Sequence, residues 1–153
     1  MDLTVLKVLC IIGISLFLGN MLITIIWKLL VEHTKEPCII GFAHYETDWV
    51  DFILVLISLI LVMSTGELIT VQQIGIDNHT TWWESGYGFF MLATLIWLVV
   101  LVPIQTQQTY LAQQFQSGKP IPKQYWRLTS YWRLGSVAGI ILPLINIYLL
   151  INT

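Results

Sequence analysis

Five ionisable side chains, Lys28, Asp48, Asp51, Glu67 and Arg133, stand inside or at the edges of long apolar stretches, together with the amides of Asn20 and Asn146. Ionisable groups at membrane depth usually face the interior of a bundle, pair there, or mark a path for ions or protons. Lys28, Asp51 and Arg133 fall at the same end of their expected helices. Asp51 is therefore expected to point between helices, in charge-assisted hydrogen-bond range of Lys28, Arg133 or both, as a device for orientation and packing. From Phe52 to Gly66 only 15 residues are uncharged. At 1.5 Å per residue these cover about 22 Å, short of a hydrocarbon layer about 30 Å thick. Either Asp51 or Glu67 is thus partly immersed. For Glu67 the functional reading is proton handling, and the plain one is snorkelling or a hydrogen bond to Thr65 or Thr70.

Metal and haem chemistry would fall to His33, His44 and His79, none of which lies in an apolar run. Two histidines facing each other across a bundle can hold a haem, but His79 belongs to the opposite membrane face from the other two. His33 and His44 could meet only near one surface. Adding Glu46 and Asp48 gives a divalent-metal cluster whose spacing matches no established ligand motif. Solvated loop histidines are the expectation, with no metal and no cofactor, and a haem as the alternative. Cys10 sits within the first apolar stretch and Cys38 in a polar connection, so no disulfide framework is expected. No nucleophile–base arrangement is visible, and no enzymatic chemistry is expected.

These residues must be positioned by four uncharged, mostly apolar stretches. Val8 to Trp27 gives 20 residues without a charge, about the length of helix that crosses a bilayer. With 56% hydrophobic and 10% charged residues, the chain lies far from the soluble norm of about 25% charged. The expectation is all-α: one transmembrane domain over 1–153, a four-helix bundle with helices at about 4–31, 49–71, 86–105 and 131–151. Gly19 permits close helix approach, and Asn20 needs a partner in hydrocarbon. Glu32 to Thr47, with Pro37 and Gly41, reads as a loop, and Thr47 or Asp48 as the cap of the next helix. Gln72 to Ser85 carries turn formers at Gly75, Asp77 and Asn78, with Trp82, Trp83 and Tyr87 as interfacial anchors. Pro103 is a kink site, followed by a glutamine-rich continuation to Gln116 that Ser117, Gly118, Pro120 and Pro122 end. Tyr125 to Arg133 is an aromatic and arginine belt entering the fourth span. In that span Gly135 and Gly139 form a pattern that admits a neighbouring helix, and Pro143 and Asn146 interrupt it.

The connections after the first and third spans hold Lys28, Lys35, Lys119, Lys123, Arg127 and Arg133, against Lys7 alone on the other side. Under the positive-inside rule both basic connections face the cytoplasm and both termini face outward. The start, Met1 to Lys7, makes a poor signal peptide, so the first helix is expected to stay attached. A net charge of -2 with seven basic residues argues against nucleic acid. The expected partners are the lipid bilayer, a second copy of the chain, or another member of a membrane complex.

Leu18-Gly19-Asn20 followed by Trp27-Lys28, Thr47-Asp48-Trp49-Val50, Ser64-Thr65-Gly66 and Tyr131-Trp132-Arg133-Leu134-Gly135 together resemble the DUF2269 family of predicted bacterial integral membrane proteins. The resemblance covers most of the chain. It implies four transmembrane helices, no assigned activity, and a distant similarity to the membrane parts of copper-resistance and protoporphyrinogen-oxidase-like proteins. Members often carry a histidine near the position of Cys10 and end in Lys-Pro, whereas this chain ends Ile151-Asn152-Thr153. The missing histidine weakens an inherited haem or metal role.

The functional expectation is a small structural or accessory protein of a bacterial inner membrane, with both termini periplasmic. Its rivals are a haem- or quinone-associated redox protein and a small oligomeric transporter. Four helices are few for a lone transport path, and no repeat with paired broken helices is present. The topology is checked by cysteine labelling in a cysteine-free background. A probe at Asn78 should be reachable from outside and one at Gln116 only from the cytoplasm; the reverse pattern would overturn it.

Overall fold

A computed structural model describes residues 2–74, 87–115 and 119–152. The described residues are helical, with no strand among them: α1 (Leu3–His33), α2 (Pro37–Ile74), α3 (Gly88–Ile96), α4 (Val102–Phe115) and α5 (Lys123–Asn152). A π-helical turn at Trp97–Leu101 joins α3 to α4 without a break. Four helices, Leu3–His33, Pro37–Gln72, Gly88–Phe115 and Lys123–Asn152, are long and apolar enough to cross a membrane. The expected turn formers Gly75, Asp77 and Asn78, the anchors Trp82 and Trp83, and the breakers Ser117 and Gly118 lie outside the described residues, as do His79 and Gln116.

The expected loop from Glu32 to Thr47 is instead almost wholly helix. α1 starts behind Asp2, whose carboxylate accepts the Thr4 N–H at 3.4 Å, and runs to His33. The chain then reverses at Lys35, which takes a left-handed backbone (φ 53°) of the kind that ends many helices. Pro37 opens α2 rather than breaking it, because a first-turn N–H has no helical partner to lose. Ile40, Ala43 and His44 are buried, and their helical spacing puts them on one packed face. Thr47 and Asp48 therefore sit inside the helix and cap nothing. Its 38 residues measure about 57 Å at 1.5 Å per residue, so the apparent shortness of this span disappears.

The third crossing bears out the glutamine-rich continuation and replaces the expected kink by a π turn. Pro103 has no N–H, and its ring crowds the carbonyl four residues back. One extra residue in the preceding turn relieves this, and the Val102 N–H bonds to the Trp97 carbonyl, five residues earlier. α5 begins at Lys123, directly after Pro122, not near 131. The aromatic and arginine belt is thus the first three turns of the helix itself.

α1 and α2 pair antiparallel along their length, with Gly13 against Val62 near one end and Asn20 against Asp51 further along. A Cβ on Gly13 would fall 2.7 Å from the Val62 side chain, and one on Gly66 would fall 2.8 Å from the Tyr87 Cβ. Gly19, expected at a close approach, has nothing within 4 Å. Gly135 and Gly139 do line helix contacts, but with two different neighbours. Gly135 lies against Leu101 of the π turn, and Gly139 lies 3.2 Å, measured from its ideal Cβ, from the end of Met21 on α1. Near the far end of the bundle the Asn146 Oδ1 accepts the Phe90 N–H at 3.2 Å. That is an orphan donor in the first turn of α3, whose cap residue Tyr87 supplies no side-chain bond. Asn146 thus does from another helix what a local cap does elsewhere.

Two apolar clusters result. The larger includes Leu6, Ile14, Phe17, Met21, Val55, Phe90 and Leu101. The smaller gathers Val31, Ile40, Ala43, Ala112, Phe115 and Tyr125 near the α1–α2 turn. Gly139→Leu should overpack the contact with Met21 and cost about 1–3 kcal/mol, read as a lower Tm in mild detergent. An unchanged Tm would contradict this packing.

Candidate functional site

Between the two apolar clusters lies a layer of polar side chains, mostly buried, with Asp48 and Thr109 half-buried and Arg133 half exposed, to which every helix except α3 contributes. On α1 the residues are Asn20, Thr24, Lys28 and Glu32, all at most 7% exposed, each four positions after the last. A spacing of four stacks side chains on one helix face. α2 answers with His44, Asp48 and Asp51, α4 with Gln105, Gln108 and Thr109, and α5 with Tyr125, Thr129 and Arg133.

Asp51 is one centre of this layer. It is 2% exposed and points between helices, but its hydrogen bonds go to neutral donors. Asn20 Nδ2 and Thr24 Oγ1 donate to Oδ1, and Gln105 Nε2 donates to Oδ2 at 3.2 Å. The expected bonds from Lys28 and Arg133 are not made. Lys28 lies one turn beyond Thr24 on the same helix face, past the level of Asp51. It donates to Gln108 Oε1 at 3.4 Å and sits 4.0 Å from the centre of the Trp132 ring, a cation–π contact. Its charge still acts on Asp48, Glu32 and Asp51.

Glu32 is the second centre, and the sequence reading placed it in a loop. Tyr125 and Thr129 donate to its Oε1 at 3.1 and 3.2 Å. Arg133 donates to Oε2 at 3.2 Å, the only ion pair among the described residues, with Arg133 half exposed and Glu32 buried. Thr129 in turn accepts from Gln108 Nε2 at 2.7 Å. Donors therefore converge on Glu32 from Lys28, through Gln108 and Thr129, and from Arg133. His44, expected in solvent, is buried and lies 2.7 Å from the Tyr125 hydroxyl. Because the single phenol proton goes to Glu32, the network assigns the donor role to His44 Nε2. Its Nδ1 is buried without a partner.

Asp48 is half-buried. Its Oδ2 accepts from Thr109, while its Oδ1 is buried with no partner. Asp48 and Asp51 line a pocket of about 280 Å³ between α2 and the α3–α4 helix, with Gln105 beside them and Trp49, Phe52 and Trp97 as walls. Trp97 opens the π turn, is 4% exposed, and keeps its indole N–H buried without a partner. Trp49 and Phe52 are exposed on the outer face, so the pocket opens sideways. π turns often occur at functional sites, and here one carries a wall of the pocket.

Other expected residues fall outside the layer. Glu67 is exposed, and the hydroxyls of Thr65 and Thr70 bond to carbonyls of their own helix. The immersed carboxylates are those of Asp51 and Glu32, with Asp48 half-buried. Asn146 is buried but acts as the cap described above. His33 is exposed, and no group of three metal-ligating residues occurs among the described residues. Cys10 and Cys38 are not joined in a disulfide. The sequence reading missed Thr24, Gln105, Gln108, Tyr125 and Thr129. The signal available for them was the spacing of three and four that places each on the same face as a charged or amide neighbour.

Fold and site together define a four-helix integral membrane protein with a polar, partly charged layer inside the bundle. The chain matches DUF2269, a family of predicted integral membrane proteins, over residues 4–152, and it belongs to that family. Comparisons with curated proteins and with solved structures gave no match.

Tyr125→Phe keeps the ring in its cluster and removes the hydroxyl between His44 and Glu32. Leaving those buried groups unsatisfied should cost about 1–3 kcal/mol, measured by thermal unfolding in nanodiscs. The control Tyr131→Phe, at an exposed position, should unfold like the parent. Equal behaviour of the two variants would contradict the network.

Proposed function

We propose that this protein is an accessory membrane protein, without enzymatic chemistry of its own, that takes up one positive charge inside its bundle. The observation that carries this is a charge imbalance. The layer holds three carboxylates, Glu32, Asp48 and Asp51, against two cations, Lys28 and Arg133. Arg133 answers Glu32, and Lys28 answers one of the aspartates. One carboxylate is left over, in a medium where an uncompensated charge is costly. Asp51 is surrounded by three donors, so the surplus falls to Asp48, which has a single donor and a bare oxygen. A proton or a cationic group at Asp48 balances the layer.

The alternative of a purely structural seam is weaker on magnitude. Interhelical hydrogen bonds in membranes average about 0.6 kcal/mol, and neutral amides and hydroxyls would fix helix register without stranding a charge. Among the described residues a haem is disfavoured, because His44 is engaged by Tyr125 and His33 is exposed. The excess of basic residues on one side supports an orientation with both termini on the outer side, which is the periplasm in a bacterial inner membrane. That orientation puts the polar layer in the cytoplasmic half. Partners of this reading are the lipid bilayer and a second copy or neighbouring membrane subunit.

Infrared spectroscopy of the protein in nanodiscs at neutral pH tests it. Exposed carboxylates are ionised there, so a carbonyl stretch from a protonated carboxyl reports a buried one. The band is expected in the parent and lost in Asp48→Asn. Its absence from a preparation free of bound amines would overturn the reading.

A further inference from the structure

We infer that the pocket between α2 and the α3–α4 helix receives the protonated amine head of a single-chain, membrane-borne amine whose tail leaves through the open side into lipid. This deepens the charge-uptake reading above and rests on it.

Four features of the pocket select this class. Asp48 lines the pocket and its buried Oδ1 has no donor, so an ammonium carrying N–H bonds satisfies that oxygen once the carboxylate turns toward the pocket, whereas a quaternary ammonium does not. The walls are the rings of Trp49, Phe52 and Trp97, with Phe52 and Trp97 centred 6.2 Å apart. Aromatic faces attract organic cations, while hard metal ions call for a shell of oxygens that these rings cannot give. The volume of about 280 Å³ is at the lower limit for small-molecule sites, enough for a head group but not for a whole amphiphile. The exposed flank formed by Trp49 and Phe52 leaves an exit for the tail.

A fifth feature is independent of the carboxylates. Trp97 lines the pocket and is 4% exposed, yet its N–H has no acceptor. A hydroxyl on the carbon beside the amine would accept that N–H while the ammonium donates to Asp48. The best fit is therefore a 2-amino alcohol, ahead of the plain amine. Binding exchanges one positive charge for another. The ammonium enters with its charge, the Asp48 carboxyl releases its proton to solvent, and the pair formed is ammonium and carboxylate.

The test titrates the full chain in nanodiscs with four short probes: hexylamine, 2-amino-1-hexanol, hexyltrimethylammonium and hexanol. Tryptophan fluorescence reports occupancy, and the protonated-carboxyl infrared band reports proton release. Hexylamine should give a saturable fluorescence change and remove the band, and 2-amino-1-hexanol should do both at lower concentration. Hexyltrimethylammonium and Asp48→Asn should each weaken binding by about tenfold or more, the loss expected for one charge-assisted hydrogen bond. Hexanol, which shares only the tail, should give no saturable change. Trp97→Phe keeps an aromatic wall and serves if Asp48→Asn fails to fold; it should erase the preference for the amino alcohol over hexylamine. Equal binding of hexanol or of the quaternary probe, or unchanged binding in Asp48→Asn, would overturn the proposal, as would a preference that survives in Trp97→Phe. A band that is present but unmoved by either amine would sink the pocket assignment alone and leave a proton as the occupant. No band and no amine binding would sink both readings.

Discussion

Carboxylates held away from water must be surrounded by donors, and in this bundle that requirement decides how the helices face one another. Asp51 draws Asn20 and Thr24 from α1 and Gln105 from α4. Glu32 draws Tyr125, Thr129 and Arg133 from α5. No helix can rotate by a residue without stranding one of these groups. In lipid the hydrophobic effect does not press helices together, so apolar packing alone would leave their rotation weakly specified. The two centres supply that specification. Lys28, stacked between Thr24 and Glu32 on the same face, carries a positive charge that acts on both.

The apolar clusters on either side of this layer serve a different purpose. They are built from close contacts, several at glycine, where a side chain would collide with a neighbour. Gly13 meets Val62, Gly66 meets Tyr87, and Gly135 meets Leu101. Such contacts hold the helices near enough for short side chains such as Thr24 and Thr129 to reach across. The π turn at Trp97–Leu101 links packing to the site. Pro103 forces an extra residue into the helix, and the turn it creates brings in Trp97, a wall of the sideways-opening pocket lined by both aspartates. A backbone accommodation to one proline thus shapes the place where the charge imbalance is exposed to a ligand.

That imbalance also separates the arrangement from a passive polar seam. Buried ion pairs are costly to desolvate, and replacing them by apolar residues is often neutral or stabilising. A layer with more carboxylates than cations is less favourable still unless something completes it. The unpartnered Asp48 Oδ1 and Trp97 N–H, on two residues that line one pocket, are the physical reason to look for an occupant there.

Membrane residence, the all-helical class and four crossings were legible in the sequence, because apolar runs about as long as the bilayer is thick have few alternatives. The need of Asn20 for a partner was legible too, since a lone amide in hydrocarbon is conspicuous. Pro37 and Pro122 misled, because proline reads as a breaker in sequence and serves as a helix opener in the fold; that hid the helical stretch from Ile40 to Asp48, with its buried face at Ile40, Ala43 and His44, and the early start of α5. Which donor would meet which acceptor was decided only by tertiary structure. Lys28, Asp51 and Arg133 lie at one end of the bundle, as their positions along the chain require. Whether they touch depends on helix rotation and on differences in level of a single turn, about 5.4 Å. At that scale Asp51 is met by neutral donors, Arg133 finds Glu32, and Asp48 keeps a buried, unpartnered oxygen at the wall of a pocket that no linear pattern displays.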